Sequence, residues 1–202
     1  MRYFYDTEFL EDGKTIDLIS IGIVSEEGHE YYAVSSDLPI ERIRKDDWLL
    51  RNVMTSLPVN EPRSLSKYVE HSPNHYPYPS VSTLDVDRRD SRVKPEWVIA
   101  NEVRDFLLQD LVLASDEVEL WADYAAYDHV VLCQLWGRMI GLPKGVPMFT
   151  KDLQQRLSDL GNPRVPEQES GHHNALDDAR HVRAVFDHLA AVQTHSERIE
   201  LR

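Results

Sequence analysis

The first ten residues, Met1-Arg-Tyr-Phe-Tyr-Asp-Thr-Glu-Phe-Leu10, constrain the fold more than any other stretch. Their aromatic and β-branched content predicts a strand, and the abrupt start without a polar lead-in predicts a central one. Side chains two apart in a strand share a face. Phe4, Asp6, Glu8 and Leu10 therefore point one way, and Tyr3, Tyr5, Thr7 and Phe9 the other. Two carboxylates on one face of an apolar strand repel each other and resist burial. They persist either solvated at the strand's mouth or neutralised by a cation. With 35 acidic residues in 202, acid-x-acid spacing alone does not decide between the two.

The segments that follow predict an α/β fold. Thr15 to Val24 and His29 to Ser35 read as strands joined by polar turns, which makes the first three strands an antiparallel meander. Pro39 to about Met54 reads as a helix with Ile40, Ile43, Trp48 and Leu49 on its apolar face. Residues 55–95 hold six of the eleven prolines and too few apolar side chains for a second core, so they read as an insertion or arm. Within it, His71, His75, Tyr76 and Tyr78 either stack on bases or pack on protein. Glu96 to Val112 is an amphipathic helix, with Ile99, Val103, Phe106 and Leu107 on one side and Asp110 breaking the stripe. A strand from Glu117 to Ala122 leads through a turn into a helix reaching about Ile140, stopped by Gly141 and Pro143. Phe149 to Leu160 is a further helix ending at Gly161, and the last runs from Ala175 to about Val192, leaving 193–202 as a flexible tail. Alternating helix and strand after the meander predict a mixed sheet flanked by helices, in one domain spanning 1–192.

Composition narrows the class. No apolar run is long enough to cross a membrane, and the N-terminus lacks a basic segment followed by an apolar one. Cys133 is the only cysteine, which excludes an internal disulfide and a cysteine-rich zinc site, so the cytoplasm is the expected address. A net charge of −13 argues against a broad basic face for long nucleic acid. It leaves room for a short single-stranded end in a cleft where metal cations meet the phosphate.

Two later stretches join the first. In Trp121-Ala-Asp-Tyr-Ala-Ala-Tyr-Asp128, Asp128 heads an apolar stripe of Val131, Leu132 and Leu135; it either caps the helix or faces the core edge. In His173-Asn-Ala-Leu-Asp-Asp-Ala179, Asn174 caps a helix and Asp177 imitates the acid of a capping box. Asp178 then shares a face with Ala175, Val182 and Val185, and His173 lies on the loop just ahead. Four carboxylates without a soft ligand suit two hard cations, Mg²⁺ or Mn²⁺. Such ion pairs catalyse in-line displacement at phosphorus, and a neutral histidine nearby is a suitable general base.

The order Asp6-x-Glu8, Tyr127-Asp128 and His173-x-Ala-x-x-Asp178-Ala resembles the three motifs of the DEDDh 3′–5′ exonucleases, which have an RNase H-like fold. Within that family, Tyr3-Phe-Tyr-Asp-Thr-Glu-Phe9, Glu119-Leu-Trp-Ala122 and Tyr127 to Gly137 look closest to the polyadenylate-specific exoribonucleases of actinobacteria. The resemblance spans Arg2 to about Val185 apart from the arm. It implies that Asp6, Glu8, Asp128 and Asp178 bind two Mg²⁺, that His173 is the general base, and that Thr7 and Phe9 hold the terminal nucleotide. Asp123, where many relatives carry asparagine, becomes a supporting residue. The resemblance further implies single-stranded RNA 3′ ends, with poly(A) among them, as substrate, and a homodimer. A DNA exonuclease would use the same residues, and a protein-interaction module would use the acids only as caps.

Overall fold

The computed structural model describes residues 1–60, 84–109 and 117–200, with side chains to 193. Its centre is a six-stranded mixed sheet: β1 (Arg2–Glu11), β2 (Ile16–Ser25), β3 (Glu30–Ser35), β4 (Val93–Lys94), β5 (Glu119–Ala122) and β6 (Lys151–Asp152). The order is β4-β3-β2-β1-β5-β6, which makes β1 an interior strand, as its abrupt start without a polar lead-in predicts. The first three strands are antiparallel, whereas β1–β5, β5–β6 and β3–β4 pair in parallel. Chain order reverses between β1 and β5, and the cleft outside the carboxyl ends of such strands is where α/β sheets bind ligands.

Strand alternation sorts β1 between two helical layers. Tyr3 and Tyr5 pack with Ile99, Val103 and Leu107 of α3 (Glu96–Leu108) and with Val131 and Leu132 of α4 (Ala126–Gln134). Phe4 packs on the other face against Val182, Val185 and Phe186 of α6 (Ala175–Glu200) and Leu153 and Leu157 of α5 (Leu153–Asp159). A third cluster joins Leu10 and Ile19 to Ile43 of α1 (Ile40–Ile43) and Leu49 and Leu50 of α2 (Asp47–Asn52).

Several boundaries differ from the sequence pattern, for local reasons. The helix expected over 39–54 is two short ones, because Asp46 accepts hydrogen bonds from Trp48 N–H and Leu49 N–H and starts a new helix. Trp48 is 53% exposed rather than on the apolar face. The helix after Asp128 stops at Gln134, ahead of Gly137 at φ +80°, well before Gly141. Phe149 is exposed, and β6 precedes α5, whose N-cap Asp152 accepts from Gln154 N–H. The last helix runs on to Glu200, past the end of its apolar stripe near Val192. The ends of the 55–95 insertion belong to the core: Leu57, Val59, Leu84, Val86 and Val93 are buried, and β4 extends the sheet. His71, His75, Tyr76, Tyr78 and Asp110 lie outside the described residues.

Candidate active site

The site forms where β1 outruns β5. The two strands pair only over Arg2–Phe4, so the second half of β1 passes beyond its parallel neighbour with Asp6 and Glu8 on the α6 face. Across the antiparallel ladder Asp6 lies opposite Gly22 of β2. A Cβ at position 22 would overlap the backbone of Ala175 and Leu176, so the absent side chain lets the start of α6 settle on the sheet. That close approach brings Asp178, one turn into α6, to the β1 acids. Carboxylate oxygens of Asp6, Glu8 and Asp178 lie within 4.8 Å of one another. The β1–β2 register shifts between Glu8 and Phe9, where the partner steps from Ser20 to Leu18 and leaves Ile19 of β2 as the extra residue.

Asp128 arrives from the opposite layer. The carboxylate reaches across to β1: Oδ1 accepts from Thr7 N–H at 2.9 Å and from the Thr7 hydroxyl at 2.6 Å. Of the two roles its position in the sequence allows, the geometry shows contact with the central strand. Thr7 itself is buried, with its hydroxyl committed to Asp128. Asp123 lines the same cleft, its Oδ1 accepting from Gln154 Nε2 at 2.8 Å.

The loop ahead of α6 supplies the rest. Asn174 caps the helix through Oδ1, which accepts from Leu176 N–H and Asp177 N–H. Asp177 does not complete a capping box. It pairs instead with Arg180, which also holds Glu30 of β3. Asp178 Oδ1 accepts from Gln168 Nε2 at 2.7 Å and the carboxylate also accepts from His173 N–H. His173 lines the cleft beside it, with a backbone φ of +62°.

Burial raises the proton affinity of all four acids, and repulsion from neighbouring carboxylates adds to it at Asp6 and Glu8. Burial, then the charge of Asp178 and of Asp128, pushes Glu8 up to about 8. Asp6 is raised well above the usual carboxylate range by burial and then by Asp128, Glu8 and Asp178. Asp128 rises to about 6 because burial outweighs the two Thr7 hydrogen bonds. Burial also raises Asp178, against the opposing pull of Gln168 and the His173 N–H. Among the described residues no Lys or Arg forms an ion pair with any of the four. Clustered hard oxygen donors with uncompensated charge fit divalent Mg²⁺ or Mn²⁺.

The acids open into a cleft of about 450 Å³ with an aromatic rim. Phe9 stacks parallel on Tyr127, centroids 5.9 Å apart and planes at 12°. Trp48 meets the His173 ring edge to face at 4.8 Å. Sequence reasoning placed Phe9 here but missed Tyr127, Gln168 and this position of Trp48. The adjacency of Tyr127 to Asp128 was its available signal, whereas Gln168 sits in a loop with no periodicity to mark it.

Comparison with known proteins places the chain in a family. The profile of the 3′-5′ exoribonuclease Rv2179c-like domain matches residues 85–190. The chain is 43% identical over 180 residues to the 3′-5′ exoribonuclease Rv2179c of Mycobacterium tuberculosis H37Rv, an alignment covering 89% of this chain and 88% of that protein. The 3′-5′ exoribonuclease MT2234.1 of M. tuberculosis CDC 1551 is likewise 43% identical over 180 residues. The chain thus belongs to the Rv2179c-like family of 3′-5′ exoribonucleases.

Proposed function

We propose that the protein is a 3′–5′ exoribonuclease of the DEDDh type that removes nucleoside 5′-monophosphates from single-stranded RNA ends. The carboxylates of Asp6, Glu8 and Asp178, gathered within 4.8 Å, carry this reading, with Asp128 held beside them by Thr7. Together the four would hold two Mg²⁺, for which Mn²⁺ can substitute. When bound, such a pair readies the attacking water and steadies the leaving oxygen of an in-line displacement.

The chain's own groups do the rest. His173 accepts a proton from water as the water oxygen forms its bond to the terminal phosphorus. The bond from phosphorus to the preceding 3′-oxygen breaks, and that oxygen leaves as an alkoxide that takes a proton from solvent water, while the imidazolium of His173 returns its proton to solvent. Phe9 and Tyr127 offer a stacked aromatic wall for the terminal base, and stacking of this kind tolerates any base. Preference for adenylate, a poly(A) target and a homodimer carry over from the polyadenylate-specific exoribonucleases that the motifs resemble, and the cytoplasmic location follows from the cysteine usage.

Product analysis tests the reading. Adenylate, uridylate and deoxyadenylate oligomers, 5′-labelled and of one length, are incubated with Mg²⁺ and then with chelator. The expected result is stepwise shortening from the 3′ end with release of 5′-monophosphates, adenylate RNA fastest, arrested by chelator. Equal rates on DNA and RNA would make the protein a general 3′–5′ exonuclease. Absence of any monophosphate would leave a non-catalytic interaction module.

A further inference from the structure

Trp48 is half in water at the rim of the cleft, while its neighbours Leu49, Leu50, Val53 and Met54 fill the core beneath. Burial of its own ring does not explain its place. The indole instead meets the His173 imidazole edge to face, centroids 4.8 Å apart and planes at 73°. Its backbone is fixed, because Asp46 Oδ1 accepts from Trp48 N–H and Leu49 N–H at 2.9 Å each. Just beyond α2, in the short 3₁₀ turn Met54–Ser56, the Ser56 hydroxyl is shared between two carbonyls. These are Val53 at 2.8 Å and His173 at 3.0 Å. One short segment therefore grips both the ring and the backbone of His173. The gripped residue has a φ of +62°, a conformation that non-glycine residues hold when their surroundings fix it.

We infer that residues 46–56 form a clamp that sets the position of His173, with Trp48 positioning the imidazole and Ser56 the backbone. The inference rests on His173 being the proton acceptor. A general base works only within hydrogen-bond reach of the proton it takes. An imidazole without its aromatic neighbour rotates among side-chain rotamers and spends less time in the productive one. The clamp therefore acts on turnover and not on RNA affinity.

The test combines kinetics on a 5′-labelled adenylate oligomer with ¹H–¹³C spectra of the histidine rings in metal-free protein. Trp48→Ala is expected to lower kcat roughly 3- to 10-fold, the scale of one edge-to-face contact, with KM nearly unchanged. Trp48→Phe should recover most of the loss, and Ser56→Ala, which leaves every ring in place, should show the same kcat-only pattern. In a His173→Ala background, Trp48→Ala should have no further effect. The His173 ring resonances should move in Trp48→Ala as the indole ring current disappears. Full activity in His173→Ala would overturn the reading of the base itself. A Trp48→Ala effect that appears in KM and persists in the His173→Ala background would assign the indole to RNA stacking and overturn the clamp. Unmoved His173 resonances would also overturn it.

Discussion

Asp6 and Gly22 face each other across the β1–β2 ladder, and the second of the pair has no side chain because α6 begins on top of it. The acid needs a partner from α6, and the glycine admits the helix that carries it. Asp178 reaches the β1 acids through this packing, so the carboxylate cluster depends on a residue with no side chain.

Gly22→Ala should therefore damage stability and site together. A methyl group against the backbone of Ala175 and Leu176 cannot be relieved by side-chain rotation. A loss of about 3 kcal/mol is expected, at the upper end for overpacking, along with weakened metal binding. Chemical denaturation measures the first and titration calorimetry the second. Wild-type stability in this variant would show that α6 sits farther from the sheet.

Thr7→Val removes the 2.6 Å hydroxyl bond to the buried Asp128 and leaves only the backbone N–H. Hydrogen bonds to charged groups contribute about 1.5–3 kcal/mol. Denaturation at neutral pH with Mg²⁺ should show a loss of that order, and Thr7→Ser should restore it. Equal stability of the Val and Ser variants would count against the bond.

The raised acids give metal-free protein a distinctive pH dependence. Glu8 at about 8 and Asp128 at about 6 bind more protons in the folded state than in the unfolded one. Unfolding free energy then falls as pH rises wherever the folded state holds the extra protons. The decline should run from the ordinary carboxylate range up through about pH 8. Thermal unfolding in chelator from pH 5 to 9 reads it out. Glu8→Gln should flatten the decline and raise Tm at high pH while abolishing hydrolysis, and Mg²⁺ should flatten it in wild type. A melting temperature that rises over this range in chelator would contradict the account.

Gln168 donates to Asp178 at 2.7 Å and fixes the orientation of that carboxylate. Losing a partner of this kind typically costs 10- to 100-fold in metal affinity. Gln168→Ala should therefore weaken Mn²⁺ binding by roughly tenfold with little change in Tm. Unaltered affinity would reduce Gln168 to a loop residue.

Much of this arrangement was legible in the sequence. Strand alternation placed Asp6 and Glu8 on one face and Tyr3 and Tyr5 on the other, because a two-residue period needs no tertiary information. The apolar stripe of α6 located Asp178 for the same reason. The pairing of Thr7 with Asp128 was not legible, since it joins a strand residue to a helix residue 121 positions away. Local competition hid the rest: Asp46 split one expected helix, Gly137 shortened another, and Lys151-Asp152 was read as helix although it pairs with β5. Trp48 fits a helical stripe that points to the core, but the helix splits at Asp46 and its ring meets His173 instead.

Calorimetric titration of chelator-treated protein with Mn²⁺, in wild type and in Asp178→Asn, tests the central claim most directly. Two ions per chain are expected for wild type, with a large loss of affinity in the variant and no change in fold. Absence of saturable binding in wild type, with RNA hydrolysis still proceeding in chelator, would contradict the account.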